Sequence, residues 1–215
     1  LEPACVLELA GMLVGSLDAR RAGEGRSYVS LPGGKTRLGE QLFDEGIELA
    51  TDPEDPRMPD APWDGDWLPR RRTAWVQAGR LTALATDRYW AGQQGVAPVP
   101  AGGSVLMSGG SGSVADLIAA TERGVLVTSF WYIRSLDPRS MLLTGLTRDG
   151  VFWIEDGKVS HPVNNFRWTE SPVAVLKKVL ARSAAVPVLA REGGAGVVPA
   201  IKVSGFDFAS VSDAV

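Results

Sequence analysis

The chain has 215 residues, of which 45% are hydrophobic and 22% are charged, a composition typical of a globular protein with a substantial core. Its 22 Lys and Arg residues and 25 Asp and Glu residues give a net charge of −3, which argues against nucleic acid as a partner because non-specific binding needs a basic surface. The single cysteine excludes an intramolecular disulfide, and the single histidine excludes metal motifs that use two histidines.

The sequence gives no signal for membrane contact. No apolar run reaches the roughly 18 residues that a membrane-spanning helix needs. The first residues, Leu1-Glu2-Pro3, include neither an initiator Met nor the basic segment of a signal peptide. We therefore expect a piece of a longer cytoplasmic protein.

The first half of the chain predicts one long helix followed by short elements. Aliphatic residues at helical spacing follow Pro3, and glycines end this pattern after residue 21. In chain order, we predict a helix at 3–21, a turn of helix at 37–43, a strand at 47–50, a hairpin of strands at 72–76 and 81–85, a helix at 88–94 and a strand at 104–107. Five prolines and six acidic residues at 52–69 predict a long, solvated loop.

The second half predicts hairpins with two further helices. Ser113 followed by Asp116 is typical of a helix start, since both side chains can cap free N–H groups. In chain order, we predict a helix at 113–123, strands at 125–133, 141–145, 151–154 and 159–163, a helix at 171–182 and a final strand at 198–208. Because hairpins dominate, the sequence predicts an α+β fold, with a largely antiparallel β-sheet built from hairpins and a few covering helices.

Three segments together resemble the C-terminal domain of the TldD/PmbA family, whose members are related to metallopeptidases and are also called modulators of DNA gyrase. Segment 144–163, TGLTRDGVFWIEDGKVSHPV, is similar to the family's strand-turn-strand signature, to which Arg148, Gly150, Glu155, Gly157 and Pro162 belong. Segments 64–81, DGDWLPRRRTAWVQAGRL, and 199–208, PAIKVSGFDF, are similar to its acidic loop with hairpin and to its closing strand. The resemblance identifies residues 1–215 as one TldD/PmbA-like C-terminal domain.

This resemblance implies a larger assembly. It implies a full-length protein about twice as long, whose N-terminal α/β domain is absent here. It also implies a two-subunit complex, formed with a catalytic TldD-type paralogue or as a homodimer, that encloses a cavity in which unfolded peptide is cleaved.

The metal ligands of the family's catalytic members are missing from this sequence. The resemblance implies that those members hold zinc with a helix carrying His-Glu-x-x-x-His and with a cysteine near the C-terminus. The matching helix here, residues 6–13, contains no histidine, and the final strands contain no cysteine. Because a catalytic zinc needs about three protein ligands, we predict no metal ligand and no catalytic residue in this chain, and zinc only in a catalytic paralogue. The resemblance therefore favours the non-catalytic PmbA/TldE type.

Several polar residues admit a chemical role beside a structural one. Glu8 is either a remnant of the catalytic acid or a solvent-facing helix residue, and the sequence favours the second. Cys5 is interpreted as a small buried residue. His161 has neither an orienting acid nor a nucleophile nearby in the sequence, so a structural role is favoured. The glycine-rich segment 108–113 is interpreted as a connector before a capped helix.

Peptide contacts are predicted from the aromatic residues. We expect an extended peptide to pair with an exposed strand edge, where main-chain hydrogen bonds give affinity with little sequence demand. The predicted contacts are Phe130, Trp131 and Tyr132, in the strongest strand of the sequence, and Trp90 in a loop-like segment.

Three functions follow as hypotheses. In the favoured one, the chain belongs to a metal-free partner subunit that binds unfolded peptides and helps a metallopeptidase complex to process them. In the second, it is an active metallopeptidase or other hydrolase with an atypical site built from carboxylates and His161. In the third, it is a regulator that binds DNA gyrase.

Overall fold

The computed structural model describes residues 1–192 and 194–212. The helices in this part of the chain are α1 (Pro3–Ser16), α2 (Ala19–Gly23), α3 (Arg88–Gln94), α4 (Val114–Ala119) and α5 (Pro172–Lys177). A turn of 3₁₀ helix spans Pro32–Gly34. The strands there are β1 (Leu49–Thr51), β2 (Thr73–Gln77), β3 (Arg80–Leu81), β4 (Val105–Met107), β5 (Arg123–Asp137), β6 (Leu142–Glu155), β7 (Lys158–Pro162), β8 (Phe166–Glu170), β9 (Val179–Arg182), β10 (Val186–Leu189), β11 (Ala195–Val198), β12 (Ile201–Val203) and β13 (Phe208–Val211).

The described strands form two main sheets and one separate pair. The first sheet has six strands in the order β10-β11-β4-β1-β2-β3, and β11 and β4 are its parallel neighbours. The second has five strands, with the order β13-β8-β6-β5 and with β7 also paired to β6. Strands β9 and β12 form the antiparallel pair. The predicted α+β fold with a largely antiparallel sheet is confirmed.

Helix α1 packs against both main sheets and forms the centre of the core. It begins at Pro3, whose missing N–H group costs nothing in the first turn. Its buried apolar side chains, each worth about 1.5–3 kcal/mol when fully buried, contact β5 in one sheet and β4, β10 and β11 in the other. The Cys5 thiol is fully buried and donates to the main-chain oxygen of Val127, 3.5 Å away, so the interpretation of Cys5 as a small buried residue is confirmed.

The predicted helix at 3–21 is in fact two helices. Helix α1 ends at Ser16, and the side chain of Asp18 then caps α2 by accepting from the N–H of Arg21 at 2.6 Å. An aspartate favours such a cap because its carboxylate replaces a missing helical hydrogen bond. The prediction was wrong at this point because the apolar spacing continues through Leu17 although the backbone turns there.

Strands β5 and β6 form a long antiparallel ribbon where shorter strands were predicted. They have 15 and 14 residues and pair from Arg123 with Glu155 to Asp137 with Leu142. Residues 146–150, which separate two predicted strands, instead belong to β6, which has an irregularity there. On its other edge, β6 pairs with β8 at 143–146 and with β7 at 152–155.

Four further predictions of element boundaries were wrong. The helix predicted at 171–182 ends at Lys177, and Val179–Arg182 is a strand because it pairs with β12. The helix predicted at 113–123 ends at Ala119, although its predicted cap is present. The single strand predicted at 198–208 is divided among β11, β12 and β13. Residues 37–43 contain no helix, since their main chain bonds to the turn and strand around Gly79 and Leu81.

The loop at 52–69 contains no helix or strand, as predicted, but two of its acids are buried rather than solvated. The Asp64 carboxylate accepts from the N–H groups of Asp66, Leu68 and Ala101 at 2.9–3.1 Å and so organises the loop. Hydrogen bonds from Arg57 lower the pKa of Asp55 to about 2. The loop is therefore held by its own carboxylates.

Candidate functional site at two bulges of the ribbon

The pairing of β5 with β6 has three irregularities, and two of them are bulges that hold a non-glycine residue at positive φ. Strand β5 has one extra residue between Trp131 and Arg134, and Tyr132 there has φ 54°. Strand β6 has one extra residue between Arg148 and Val151, the partners of Ser129 and Val127, and Asp149 there has φ 59°. L-residues rarely adopt positive φ because their Cβ crowds the backbone. Bulges redirect side chains and main-chain groups away from the regular ladder, and they are common beside functional sites.

Two exposed aromatic rings lie at the β5 bulge, and each contacts an arginine. Trp131 and Tyr132 are 37% and 50% exposed. The guanidinium of Arg148 lies 4.8 Å from the Trp131 ring centre, and that of Arg134 lies 4.0 Å from the Tyr132 ring centre. Cation–π contact orients each planar guanidinium. The ribbon thus presents two exposed aromatic rings, inclined at 49° to each other and bordered by positive charge.

Two charged residues of the β10–β11 turn, Arg191 and Glu192, reach across to these bulges, and we call them the strap. The Glu192 carboxylate accepts from the main-chain N–H of Tyr132 and lies 3.7 Å from the Arg134 guanidinium. Arg191 forms an ion pair with Asp149. Each strap residue therefore contacts one bulge.

Helix α1 holds the backbone of the strap through Glu8. The Glu8 carboxylate accepts from the N–H of Glu192 at 2.7 Å, and Glu8 is 6% exposed, so the prediction of a solvent-facing glutamate was wrong. Burial raises the pKa of the Glu8 carboxyl, the nearby Glu192 carboxylate adds to the rise, and hydrogen bonds from the N–H groups of Glu192 and Arg191 oppose it. Glu8 thus joins the central helix to the strap. We call Glu8, the strap and the four ribbon residues Tyr132, Arg134, Arg148 and Asp149 the bulge site.

A cavity of about 320 Å³ adjoins the bulge site. It lies beside the β6 bulge and is lined by Arg148, Asp149, Gly150, Val151, Phe152, Pro162, Val163 and Asn165. Three residues of the family signature, Arg148, Gly150 and Pro162, therefore lie together. The other two, Glu155 and Gly157, belong to the β6–β7 turn, where Gly157 has φ 74° and its N–H donates to the oxygen of Thr121.

The predicted peptide-contacting residues separate into three environments. Trp131 and Tyr132 lie on the exposed surface of the ribbon. Phe130 is fully buried, with its ring 4.8 Å from that of Trp168 and 5.5 Å from that of Phe206, so its prediction as a surface contact was wrong. Side chains alternate between the two faces of a strand, and this one faces the core. Trp90 belongs to α3 and lies against Gly23 of α2, in another part of the fold.

The described residues do not fit the zinc that the family's catalytic members use. Among residues 1–192 and 194–212, no three His, Cys, Asp or Glu side chains are grouped as metal ligands. His161 lies on the exposed strand β7, with its Nδ1 3.1 Å from Ser160 Oγ, and Cys5 is buried beside Val127. Burial raises the pKa of the Cys5 thiol, which disfavours the thiolate that binds metal.

A second cavity, of about 280 Å³, lies between α4 and the strands β5, β12 and β13. Its lining is mainly aliphatic and includes Leu117, Val125 and Ile201, with Arg123 and Lys202 also contributing.

The neighbouring helix α4 has the predicted capping box, in which Ser113 and Asp116 each bond the other's main chain. The structure therefore confirms the interpretation of segment 108–113 as a connector before a capped helix.

Four residues of the bulge site were not found from the sequence, namely Arg134, Asp149, Arg191 and Glu192. The available signals were weak, because all four are charged residues between predicted elements, where charged side chains are usually solvated. Glu192 contacts Tyr132 from 60 positions away in the chain, and only the folded arrangement of β5 beside the β10–β11 turn brings them together.

The fold and the sequence define the class of protein. Residues 1–210 match the family model of the PmbA/TldA metallopeptidase C-terminal domain. The chain belongs to this family. No curated protein sequence matches the chain.

Three solved structures share the fold. TldE from Thermococcus kodakarensis is 21% identical, with a TM-score of 0.78 over 96% of this chain and 48% of that chain. A protein described as a candidate modulator of DNA gyrase from Bacteroides thetaiotaomicron is 21% identical, with a TM-score of 0.76 over 95% of this chain and 44% of that one. A protein from Thermotoga maritima with the same description is 18% identical, with a TM-score of 0.74 over 96% and 48%. This chain therefore spans about half the length of these solved relatives.

Every helix in the described residues is too short or too polar to reach across a lipid bilayer.

Proposed function

We propose that this chain is the C-terminal domain of a metal-free, TldE-type partner subunit, and that it binds unfolded peptides for a catalytic paralogue. The exposed aromatic surface on β5 is the single observation that carries the peptide-binding part of this proposal. The poor fit of the described donor residues to zinc supports the partner role.

The position of β5 suits the binding of an extended peptide. In the described part of the chain, β5 lies at one end of the five-stranded sheet, and residues 134–136 beyond the bulge are exposed. A terminal strand can pair with a peptide through main-chain groups, while neighbouring aromatic rings contact its side chains. Trp131 and Tyr132 provide such rings, with centres 5.7 Å apart.

The peptide-binding part is tested with Trp131→Ala and a labelled, unstructured peptide. Loss of the ring removes apolar contact area, so we expect about tenfold weaker binding by fluorescence anisotropy. Tyr89→Ala is the matched control, because Tyr89 is an exposed ring on α3 that also contacts an arginine, Arg20 at 5.5 Å. Equal affinities of the parent chain and Trp131→Ala would contradict binding at this surface.

The partner role is tested with a paralogue that carries the His-Glu-x-x-x-His helix. We expect a complex on gel filtration and faster cleavage of a disordered peptide when the full-length protein that contains this chain is added. If no complex forms and the paralogue cleaves equally well alone, the partner role is wrong.

The same preparations decide between this proposal and the two other hypotheses. A stoichiometric zinc that chelators remove and that His161→Ala abolishes would favour an atypical hydrolase. Capture of gyrase subunits by the purified full-length protein, without binding of unfolded peptide, would favour a gyrase regulator.

A further inference from the structure

We infer that the Tyr132 N–H group and the Arg134 guanidinium form a receptor for a carboxylate of the bound peptide, and that Glu192 occupies this receptor when no peptide is present. The inference rests on the proposed peptide binding and adds the chemical class of the ligand group. It is carried by the place of the Glu192 carboxylate in the structure.

The β5 bulge creates the first donor. The positive φ of Tyr132 turns its N–H group out of the ladder with β6, in the interval where the register shifts between Trp131 and Arg134. This N–H group donates to one oxygen of the Glu192 carboxylate. A main-chain donor cannot change its charge or rotate away, so it fixes one oxygen of any carboxylate that binds there.

Arg134 provides the positive charge. Its Nη1 lies 3.7 Å from the other oxygen of Glu192 and also donates to the oxygen of Ile133 at 2.7 Å. The guanidinium lies over the Tyr132 ring, which orients it toward the bulge. A main-chain N–H that donates to one carboxylate oxygen and a guanidinium that forms an ion pair with the other together favour the binding of a carboxylate.

The carboxylate of Glu192 is able to leave without movement of the strap backbone. Its N–H group is held by Glu8, whereas its side chain is 26% exposed and reaches outward to β5. Exposed ion pairs are weak, because both partners are well solvated when apart. A peptide carboxylate therefore replaces one main-chain hydrogen bond and one weak ion pair of Glu192, and rotation of the Glu192 side chain opens the receptor.

The first test uses small probes, so that it does not depend on peptide binding. N-acetylglycine and N-acetylglycinamide are titrated into ¹⁵N-labelled parent chain, Glu192→Ala and Arg134→Gln, and the amide signal of Tyr132 is followed. We expect saturable shifts in Glu192→Ala with the acid only, about fivefold weaker binding in the parent chain, and no saturation in Arg134→Gln.

The second test uses three labelled peptides of one unstructured sequence. One has a free C-terminal carboxylate, one is amidated, and one is amidated with a single internal glutamate. We expect Glu192→Ala to bind a carboxylate-bearing peptide about fivefold more tightly than the parent chain does, and the neutral peptide equally. Whichever acidic peptide gains affinity identifies the source as the chain terminus or an acidic side chain.

Matched controls are available in the same chain. Glu45→Gln changes an exposed glutamate in another turn, and Arg139→Gln changes an exposed arginine at the tip of the same ribbon. Both controls should bind all probes as the parent chain does, and thermal unfolding should show that every variant folds.

The outcomes separate the two proposals. If acid and amide probes behave alike in every variant, the carboxylate receptor is wrong, even where peptides bind. If N-acetylglycine saturates Glu192→Ala but no peptide binds any variant, the receptor is present and the proposed peptide function is wrong. If Glu192→Ala changes only the unfolding temperature, Glu192 is a structural contact and the inference fails.

Discussion

The two main sheets both pack against α1, but they are held in different ways. The six-stranded sheet has short strands of two to five residues, and glycines in its strands and turns lie close to neighbouring main-chain atoms. The five-stranded sheet contains the two long strands of the ribbon, and its bulges are joined to α1 through the exposed strap and the buried Glu8. We expect the first region to tolerate little change, whereas in the second region the proposed ligand replaces a contact of Glu192.

The largest effect is expected in the six-stranded sheet, at Gly79. This residue has φ 73°, and a Cβ added to it would lie 2.3 Å from the oxygen of Phe43. Its N–H donates to Ile47 and its oxygen accepts from Leu42 and Phe43, so the turn cannot easily move. We expect Gly79→Ala to lower the free energy of unfolding by about 3 kcal/mol or more, measured by denaturant unfolding.

Gly92→Ala is the control for Gly79, because a Cβ at Gly92 of α3 meets open space. Alanine is the better helix former there, so this variant should be unchanged or more stable by up to about 1 kcal/mol. Equal stability of Gly79→Ala and the parent chain would remove the contrast between the two sheets.

A smaller steric effect is expected at Gly145 of the five-stranded sheet. A Cβ at this position would lie 2.6 Å from the ring of Trp168, which is fully buried beside Phe130. The ring must shift to accommodate the Cβ. We therefore expect Gly145→Ala to lower the free energy of unfolding by about 1–3 kcal/mol and to change the tryptophan fluorescence. Gly15→Ala, where a Cβ meets open space, should neither lower the free energy of unfolding nor change the tryptophan fluorescence. A loss at Gly145 larger than at Gly79 would reverse the proposed order.

The smallest effect is expected at Glu8 and depends on pH. Because its pKa in the folded chain is raised above the ordinary value of 4.5, the folded state retains the proton more strongly than the unfolded state does. The contribution of Glu8 to stability is therefore complete below about pH 4.5 and falls as the pH rises through the raised pKa. Glu8→Gln keeps an oxygen for the Glu192 N–H but cannot ionise.

We expect the unfolding temperature of Glu8→Gln to match that of the parent chain at low pH and to exceed it increasingly as the pH rises. Thermal unfolding between pH 4 and 8 measures this difference. Glu45→Gln, at an exposed position, should show no such trend. A difference that is constant with pH would show that Glu8 does not link its ionisation to folding.

The sequence predicted the fold class and the start of α1, and it failed where the folded structure overrides a local pattern. Aliphatic spacing placed α1 correctly because that spacing reports burial. Val179 and Leu180 continue the helical pattern of α5, but pairing with β12 makes them a strand. Such long-range pairing overrides a weak local preference.

The candidate site was only partly predictable. Trp131, Tyr132 and Arg148 were named from aromatic content and from the family signature, whereas the strap was not. A bulge adds one residue to a strand and leaves the composition unchanged, so no sequence pattern marked the positive φ of Tyr132. The contact between Glu8 and Glu192 spans 184 positions and depends on the final packing.

The change of partner along β6 accounts for the neighbouring cavity. Strand β8 pairs with one part of this edge and β7 with another, and residues 147–151 lie between the two ladders. The Thr147 hydroxyl accepts from the Phe166 N–H at 2.8 Å, and the Val163 N–H donates to Val151 at 2.9 Å, so the backbone stays joined on both sides of the gap. The cavity is thus a seam between two pairings, and the main-chain hydrogen bonds on either side of it do not involve the side chains that line it.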